Sequence, residues 1–330
     1  MKIVIEHGWV PFKLYVENQQ VFIELVLLKS RRPMASFLRQ DLQQCNHRTK
    51  ISLDKITQTG SVEVEVMATP MIFHMSRCGS TLVSNLFKQV SSCKVLSEPD
   101  VLNQILQTPW PSKKDQVVAL QTMVALFRRG LCDANQTLII KWSSWPSAYI
   151  ELIMEAFPDS PWCFLYRSPY EVLASNQRRL PEWLNIDVLK KNAPDIKNNE
   201  LINTDEDLCT QLYFRAGFQS QISRIELCAR VLGICCENVV SYLKKSSKGH
   251  VVNYTELPGA VITGMAKKFD VTLAGVDKIK INSAAIWNSK VDGSQVFSVN
   301  EKQEKVKPDK EIKGLVDAYL SQLINDIENI

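Results

Sequence analysis

From residue 68 onward the chain repeats one unit, a short apolar run followed by a segment with helical spacing. PMIFHM leads into STLVSNLFKQV, KVLSE into DVLNQILQ, TLIIKW into SAYIELIMEAF, and WCFLYR into YEVLASNQRRL. Apolar runs this short, lacking the polar alternation of a half-exposed strand, predict parallel strands covered on both faces by crossover helices. The fold class expected is therefore α/β, a central parallel sheet with helices on both faces. Ligands of such sheets bind beyond the carboxyl ends of the strands, where loops pass into helices.

Residues 1–67 follow a different pattern. KIVIEHGWV, KLYVENQQVFIELVLL and SVEVEVM are β-branched, alternating segments around a polar stretch from Arg39 to Lys55. They predict a small N-terminal β-containing unit with one short helix near SFLRQDL. Residues 68–330 then form one α/β domain, interrupted at 181–207 by a polar segment of mixed charge that reads as a lid or substrate loop. Behind it come a helical region (CTQLYFRAGFQSQISRIELCARVLGICCENVVSYLKK), a last strand (HVVNY), a helix near ITGMAKKF, a loop-rich stretch over 271–308 and a terminal helix (DKEIKGLVDAYLSQLINDIENI).

Charge and composition narrow the partners. Lys plus Arg exceed Asp plus Glu by 39 − 35 = 4 over 330 residues, too little for a nucleic-acid binder, whose basic residues cluster and outnumber the acidic ones. Any anion bound is small and held locally. No apolar window approaches the ~18–20 residues that span a bilayer, and MKIVIEHGWVPF lacks the apolar core and cleavage site of a secretion signal, so no membrane span and a cytoplasmic location are expected. The nine cysteines contain no C-x2-C pair and the four histidines are scattered. That predicts reduced thiols and no metal site.

The segment most informative about chemistry is MIFHM-SRCGS-TLVSNLFKQV (71–90), a strand that turns through a Ser/Arg/Gly loop into an amphipathic helix. Such a turn gathers backbone N–H groups and the positive end of a helix around one point, an anion cradle. Gly79 permits close backbone approach, Ser80 and Thr81 bring hydroxyls, and Arg77 adds a permanent charge. The nucleotide-triphosphate loop G-x-x-x-x-G-K-[ST] does not fit, because Ser80 stands where its lysine would be. A cysteine phosphatase needs Arg six residues after the Cys, and position 84 is Ser. G-x-G-x-x-G is absent. From the loop alone, a plain Ser/Thr-capped helix start remains the other reading.

Taken together, these residues resemble the sulfotransferases that use 3′-phosphoadenosine-5′-phosphosulfate (PAPS), a family with a P-loop-like α/β core. S-R-C-G-S-T-L (76–82) is similar to their phosphosulfate loop, strand–[KR]-[SC]-G-[ST]-[ST]–helix, and WCFLYRSPYEVLASNQRR (162–179) to their strand–R-[DNS]-P-x-[DE]-V-x-x-S–helix element. The resemblance implies that Arg77, Cys78, Gly79, Ser80, Thr81 and Leu82 wrap the 5′-phosphosulfate, and that Arg167 and Ser175 hold the 3′-phosphate. It also implies that Lys141, closing TLIIK, stabilises charge on the oxygen between phosphorus and sulfur. VVNYTELPG resembles the family's Y-E-[DL] strand end, which puts Tyr254 near the adenosine.

The general base departs from the family pattern. Cytosolic members read K-T-H, whereas this chain reads Lys141-Trp142-Ser143. In carbohydrate and tyrosine sulfotransferases a Glu takes that role, and Glu98 in VLSEPD ends the strand after the loop helix, where burial would raise its pKa toward a useful value. His74 is the other candidate, although its place inside an apolar strand favours packing. The R-K-G-x-x-G-x-W-K region of cytosolic members is not recognisable, and VFSVNEKQEK (296–305) takes its approximate place. The N-terminal unit resembles that of some bacterial sulfotransferase-like proteins.

The function expected is sulfuryl transfer from PAPS, without a metal, to the hydroxyl of a small-molecule acceptor. Trp142, Trp145 and Trp183 would flank the site or its lid and favour an apolar or ring-bearing acceptor. The alternatives are a nucleotide or small-molecule kinase with a degenerate phosphate loop, and a non-catalytic nucleotide-binding module. Nothing in the sequence specifies an oligomeric state.

Overall fold

The computed structural model describes residues 7–18, 20–28, 33, 35–58, 67–184, 208–218, 221–284 and 309–330. Its centre is a five-stranded sheet, in which the strands are β4 (Met71–His74), β5 (Cys93–Ser97), β6 (Thr137–Lys141), β7 (Trp162–Tyr166) and β8 (Gly249–Asn253). All neighbours are parallel and the order is β5-β6-β4-β7-β8. Every residue of β4, β5 and β7 is buried, as is all of β6 except Thr137. This is the continuous burial expected where helices cover both faces.

The crossover helices are α3 (Ser80–Phe87), α4 (Asp100–Gln107), α5 (Lys113–Leu131), α6 (Ile150–Ala156) and α7 (Pro169–Arg178). From β4 the chain passes to β5, two places away beyond β6, while β7 lies on β4's other side. The crevice of the sheet therefore opens at the end of β4, between β6 and β7. Pairing of Ser97 with Lys141, of His74 with Leu165 and of Tyr166 with Asn253 lines the strand ends along one edge.

The N-terminal sheet is an antiparallel meander of β1 (Trp9–Glu17), β2 (Gln20–Leu27) and β3 (Arg48–Ser52), with α1 (Leu38–Gln43) and α2 (Leu53–Gln58) beside it. Pro11, which has no N–H to donate, lies at an irregularity between Pro11 and Lys13 in the edge strand β1. β1 packs on α4 and α5. The Gly8 N–H donates to Gly130 O at 3.0 Å, and the Leu14 N–H to Gln104 Oε1 at 2.8 Å. A Cβ on Gly130 would come within 2.3 Å of Trp9 O, so only glycine lets α5 approach this closely.

Beyond α7, the described residues form α8 (Leu208–Arg215), the 20-residue α9 (Arg224–Leu243), a π turn (Val261–Met265) running into α10 (Ala266–Lys268), α11 (Gly275–Ala284), α12 (Lys310–Tyr319) and α13 (Ser321–Glu328). Ser112, Ser223 and Asp309 cap α5, α9 and α12 by accepting N–H bonds three residues on. Three expectations are corrected here. The N-terminal unit has two short helices, and the polar stretch from Arg39 to Lys55 contains β3, because its Ile51 and Ser52 pair with β2 and are shielded there. The loop-rich stretch from 271 contains α11, which shows weak helical spacing because only Asp277 and Ile281 are buried while Val276 and Ile279 are exposed. The terminal helix is two helices, broken at Leu320 (φ −128°). Most of the expected lid (185–207), the expected β segment SVEVEVM as far as residue 66, and the segment 296–305 lie outside the described residues. No described helix is long and apolar enough to cross a membrane.

Candidate functional site

At the end of β4 the backbone turns sharply. Ser76 (φ 69°), Arg77 (φ 48°) and Gly79 (φ 83°) are all left-handed, at a cost of order 1 kcal/mol for each non-glycine residue. Gly79 then opens α3 with no side-chain cap. The Val83 N–H is bonded to Gly79 O at 3.1 Å, and the preceding N–H groups of the helix start have no partner within the helix. A Cβ on Gly79 would lie 2.9 Å from both Tyr254 and Leu257, so glycine is required twice, for its φ and for the close contact.

The loop's side chains are less available than its backbone. Cys78 is fully buried, and burial pushes its thiol up to about 12, which removes it as a nucleophile. Arg77 reaches across to α7, where Nε donates to Asn176 Oδ1 at 3.3 Å and Nη2 to Arg179 O at 2.7 Å. Burial, together with Arg179 and Arg178, holds its pKa below the ordinary value. Ser80 and Thr81 are buried, and Leu82 packs against the core.

Arg167, directly after β7, ties three elements together. Its Nε donates to Glu171 Oε2 at 2.6 Å, its Nη1 to Arg77 O at 3.4 Å, and its Cζ lies 4.3 Å from the Tyr254 ring centroid. The structure thus brings Arg77, Gly79, Arg167 and Tyr254 to one place. Ser175 follows Glu171 by one helical turn on α7, partly buried.

A second cluster lies at the ends of β5 and β6. Lys141 is fully buried and its ammonium is paired with Glu98 Oε1. Glu98 Oε2 accepts from Ser143 Oγ at 3.2 Å, and Ser143 Oγ accepts from Asn103 Nδ2 at 2.9 Å. Glu98 is itself left-handed (φ 52°), its N–H bonded to Lys141 O at 2.7 Å. Burial alone would push the Glu98 carboxyl up, but the charge and hydrogen bond of Lys141, with the hydrogen bond from Ser143, hold it below the usual value. The expectation of a raised pKa is therefore corrected, because a buried ammonium in direct contact outweighs desolvation.

His74 is fixed as a neutral ring. Its Nδ1 accepts the Ser76 N–H at 3.1 Å, so the proton sits on Nε2, which donates to Trp142 O at 3.0 Å. Burial, reinforced by Lys141, lowers its pKa to about 3. With both nitrogens occupied, His74 has no lone pair free to take an acceptor's proton.

The tryptophans also fall differently from expectation. Trp142 and Trp145 are buried in the core, Trp142 stacked on Phe73 with centroids 6.2 Å apart. Of the three, Trp183 alone is partly exposed, its Nε1 donating to Ser144 Oγ at 2.9 Å. Residues that sequence reasoning missed include Glu171, whose i,i+4 spacing from Arg167 was a readable signal, and Asn103, Ser143 and Asn176, which carried none.

Fold and site together define an α/β protein with an uncapped helix start, a buried lysine and an arginine gathered at one sheet edge. No family model matches the sequence, and no curated protein matches it. Among solved structures the chain is similar to the sulfotransferase STF9 from Mycobacterium avium, with 14% identity, 86% of this chain and 82% of that chain covered, and a TM-score of 0.49. It is similar to the sulfotransferase STF1 from Mycobacterium tuberculosis H37Rv at 10% identity, with 78% of each chain covered and a TM-score of 0.47. It is also similar to the sulfotransferase domain from the curacin biosynthetic pathway at 13% identity, covering 79% of this chain and 96% of that one, with a TM-score of 0.43.

Proposed function

We propose that the chain is a sulfotransferase that moves a sulfuryl group from PAPS to the hydroxyl of a small-molecule acceptor. The observation that carries this reading is the joining of the uncapped α3 start to Arg167 through Arg77 O and Tyr254, beside a buried lysine. The donor carries about four negative charges on two separate groups, and this edge offers a separate positive point for each. The α3 N–H groups meet the phosphosulfate, and Arg167, with Ser175 one helical turn beyond Glu171, meets the 3′-phosphate. Tyr254 already has a cation on its face and lies beside the adenosine.

In the reaction the acceptor oxygen attacks sulfur as the bond from sulfur to the bridging oxygen breaks. Lys141 leaves Glu98 and stabilises the charge gathering on that oxygen. Loss of the ammonium leaves Glu98 dominated by burial, so its proton affinity rises when a base is needed. The acceptor's proton passes to a Glu98 oxygen while Ser143 keeps the carboxylate oriented. Sulfated acceptor, adenosine 3′,5′-bisphosphate and one proton account for every atom.

A thermal-shift comparison of adenosine 3′,5′-bisphosphate with ATP and magnesium tests the reading. Ligand at 100 times its Kd adds about 2.7 kcal/mol to the folded state, so stabilisation by the bisphosphate alone is expected. Preference for ATP would favour the kinase alternative. Bisphosphate binding without turnover on any acceptor would favour the non-catalytic module.

A further inference from the structure

The transfer lysine has a second partner, and it comes from the N-terminal unit. The Phe37 ring lies 5.3 Å from Lys141 Nζ to its centroid, although the two residues are more than a hundred positions apart. Lys141 is fully buried, while Phe37 is 37% exposed, so the ring forms the boundary between the ammonium and solvent.

The segment that carries Phe37 is pinned from both sides. Lys88, just past α3, donates through Nζ to Ala35 O, and the Ala35 N–H donates to Asp41 Oδ2 at 3.1 Å. Arg39, two residues on, pairs with Glu182 at 3.1 Å, at the start of the polar insertion. The helix that follows the loop and the stem of the insertion are thus both tied to this corner of the N-terminal unit.

We propose that the N-terminal unit completes the transfer site, with Phe37 as a positioning residue for Lys141; this rests on the sulfotransferase reading. An ammonium taken from water needs electron density around it, and here a carboxylate and a π face supply it. The carboxylate competes with an incoming anion for the lysine. The ring does not, since its quadrupole attracts the cation without carrying charge, and it keeps water off Nζ while the lysine changes partner. Phe37 would therefore act on the transfer step and not on donor binding.

The test separates ring electronics from apolar cover. Phe37→Leu keeps an apolar side chain over the ammonium and removes the π face, whereas Phe37→Tyr keeps both. In Phe37→Leu, kcat is expected to fall roughly tenfold, as for a desolvated cation–π contact, while the KM for PAPS and the Kd for adenosine 3′,5′-bisphosphate stay within about twofold. Phe37→Tyr restores kcat. A Phe37→Leu kcat within about twofold of wild type, or equal losses in the two variants, would overturn the proposal. An arm that needs no turnover uses protein labelled with 13C-lysine. The Lys141 ε-methylene protons, assigned by their disappearance in Lys141→Met, are expected upfield through the ring current in wild type and Phe37→Tyr, and unshifted in Phe37→Leu. If the chain neither binds the bisphosphate nor transfers sulfuryl groups, the functional reading fails, and this resonance alone decides whether Phe37 positions Lys141. No upfield lysine methylene in wild type would sink the proposal.

Discussion

The guanidinium of Arg167 lies over the ring of Tyr254, 4.3 Å from Cζ to the centroid, and joins the ends of β7 and β8 at the foot of the Ser76–Gly79 turn. Arg167→Lys keeps the charge but loses the planar fork that serves Glu171, Arg77 O and the ring together. The Kd for adenosine 3′,5′-bisphosphate, measured by calorimetry, is expected to rise on the order of tenfold or more, as for loss of a charge-assisted bidentate contact. Tyr254→Leu should cost less, about three- to fivefold. Unchanged affinity in Arg167→Lys would remove Arg167 from the donor site.

Gly79→Ala places a Cβ in a left-handed conformation that costs about 1–2 kcal/mol, and against Tyr254 and Leu257 at 2.9 Å. Urea unfolding should show at least that loss. Bisphosphate binding should disappear even where the protein remains folded, because the loop must open to admit the new atom.

Glu98→Gln leaves Lys141 buried without its counter-charge. Breaking a buried pair from one side costs roughly 3 kcal/mol, and turnover should vanish with the proposed base. Adding Lys141→Met should restore much of the stability and none of the activity. Full additivity in the urea-derived double-mutant cycle would show that the two side chains do not depend on each other.

Acid should unfold the protein early. His74, held to about 3, stays neutral when folded, whereas the unfolded ring takes a proton near pH 6.5. Between those values the unfolded state binds more protons, so stability is complete above about pH 6.5 and lost as the pH falls toward 3. By pH 4 this amounts to about 3 kcal/mol. His250, lowered to about 4 chiefly by burial, acts in the same direction, as does the lowered Glu98, whose stabilising charge is lost when it protonates. Urea midpoints at pH 7.5 and 4.5 measure the difference, and equal midpoints would contradict the buried neutral state of His74.

What could be read from the sequence was local. The apolar runs of β4 to β7 and the turn at Gly79 each depend on neighbours within a few residues, so spacing was enough to find them, while the Arg167 segment was singled out by its resemblance to a sulfotransferase element. The Glu98–Lys141 pair was half legible. Both residues could be placed at strand ends, but the sign of the Glu98 shift depended on whether the two touch, which is set by β5 pairing with β6. Trp142 and Trp145 were misplaced because a strand-end aromatic turns inward or outward according to the layer beneath it. Phe37 was invisible, since it precedes α1 while its partner ends β6 in the central sheet, and no periodicity links them.

Gly130 holds the seam between the two sheets, with Trp9 O where any side chain would have to go. The N-terminal unit is consequently not a detachable module. A shortened protein starting near residue 68 would leave the faces of α4 and α5 that pack on β1 bare and would be prone to self-association. Efforts to obtain a minimal, well-behaved form should keep the first sheet and vary its outer face instead.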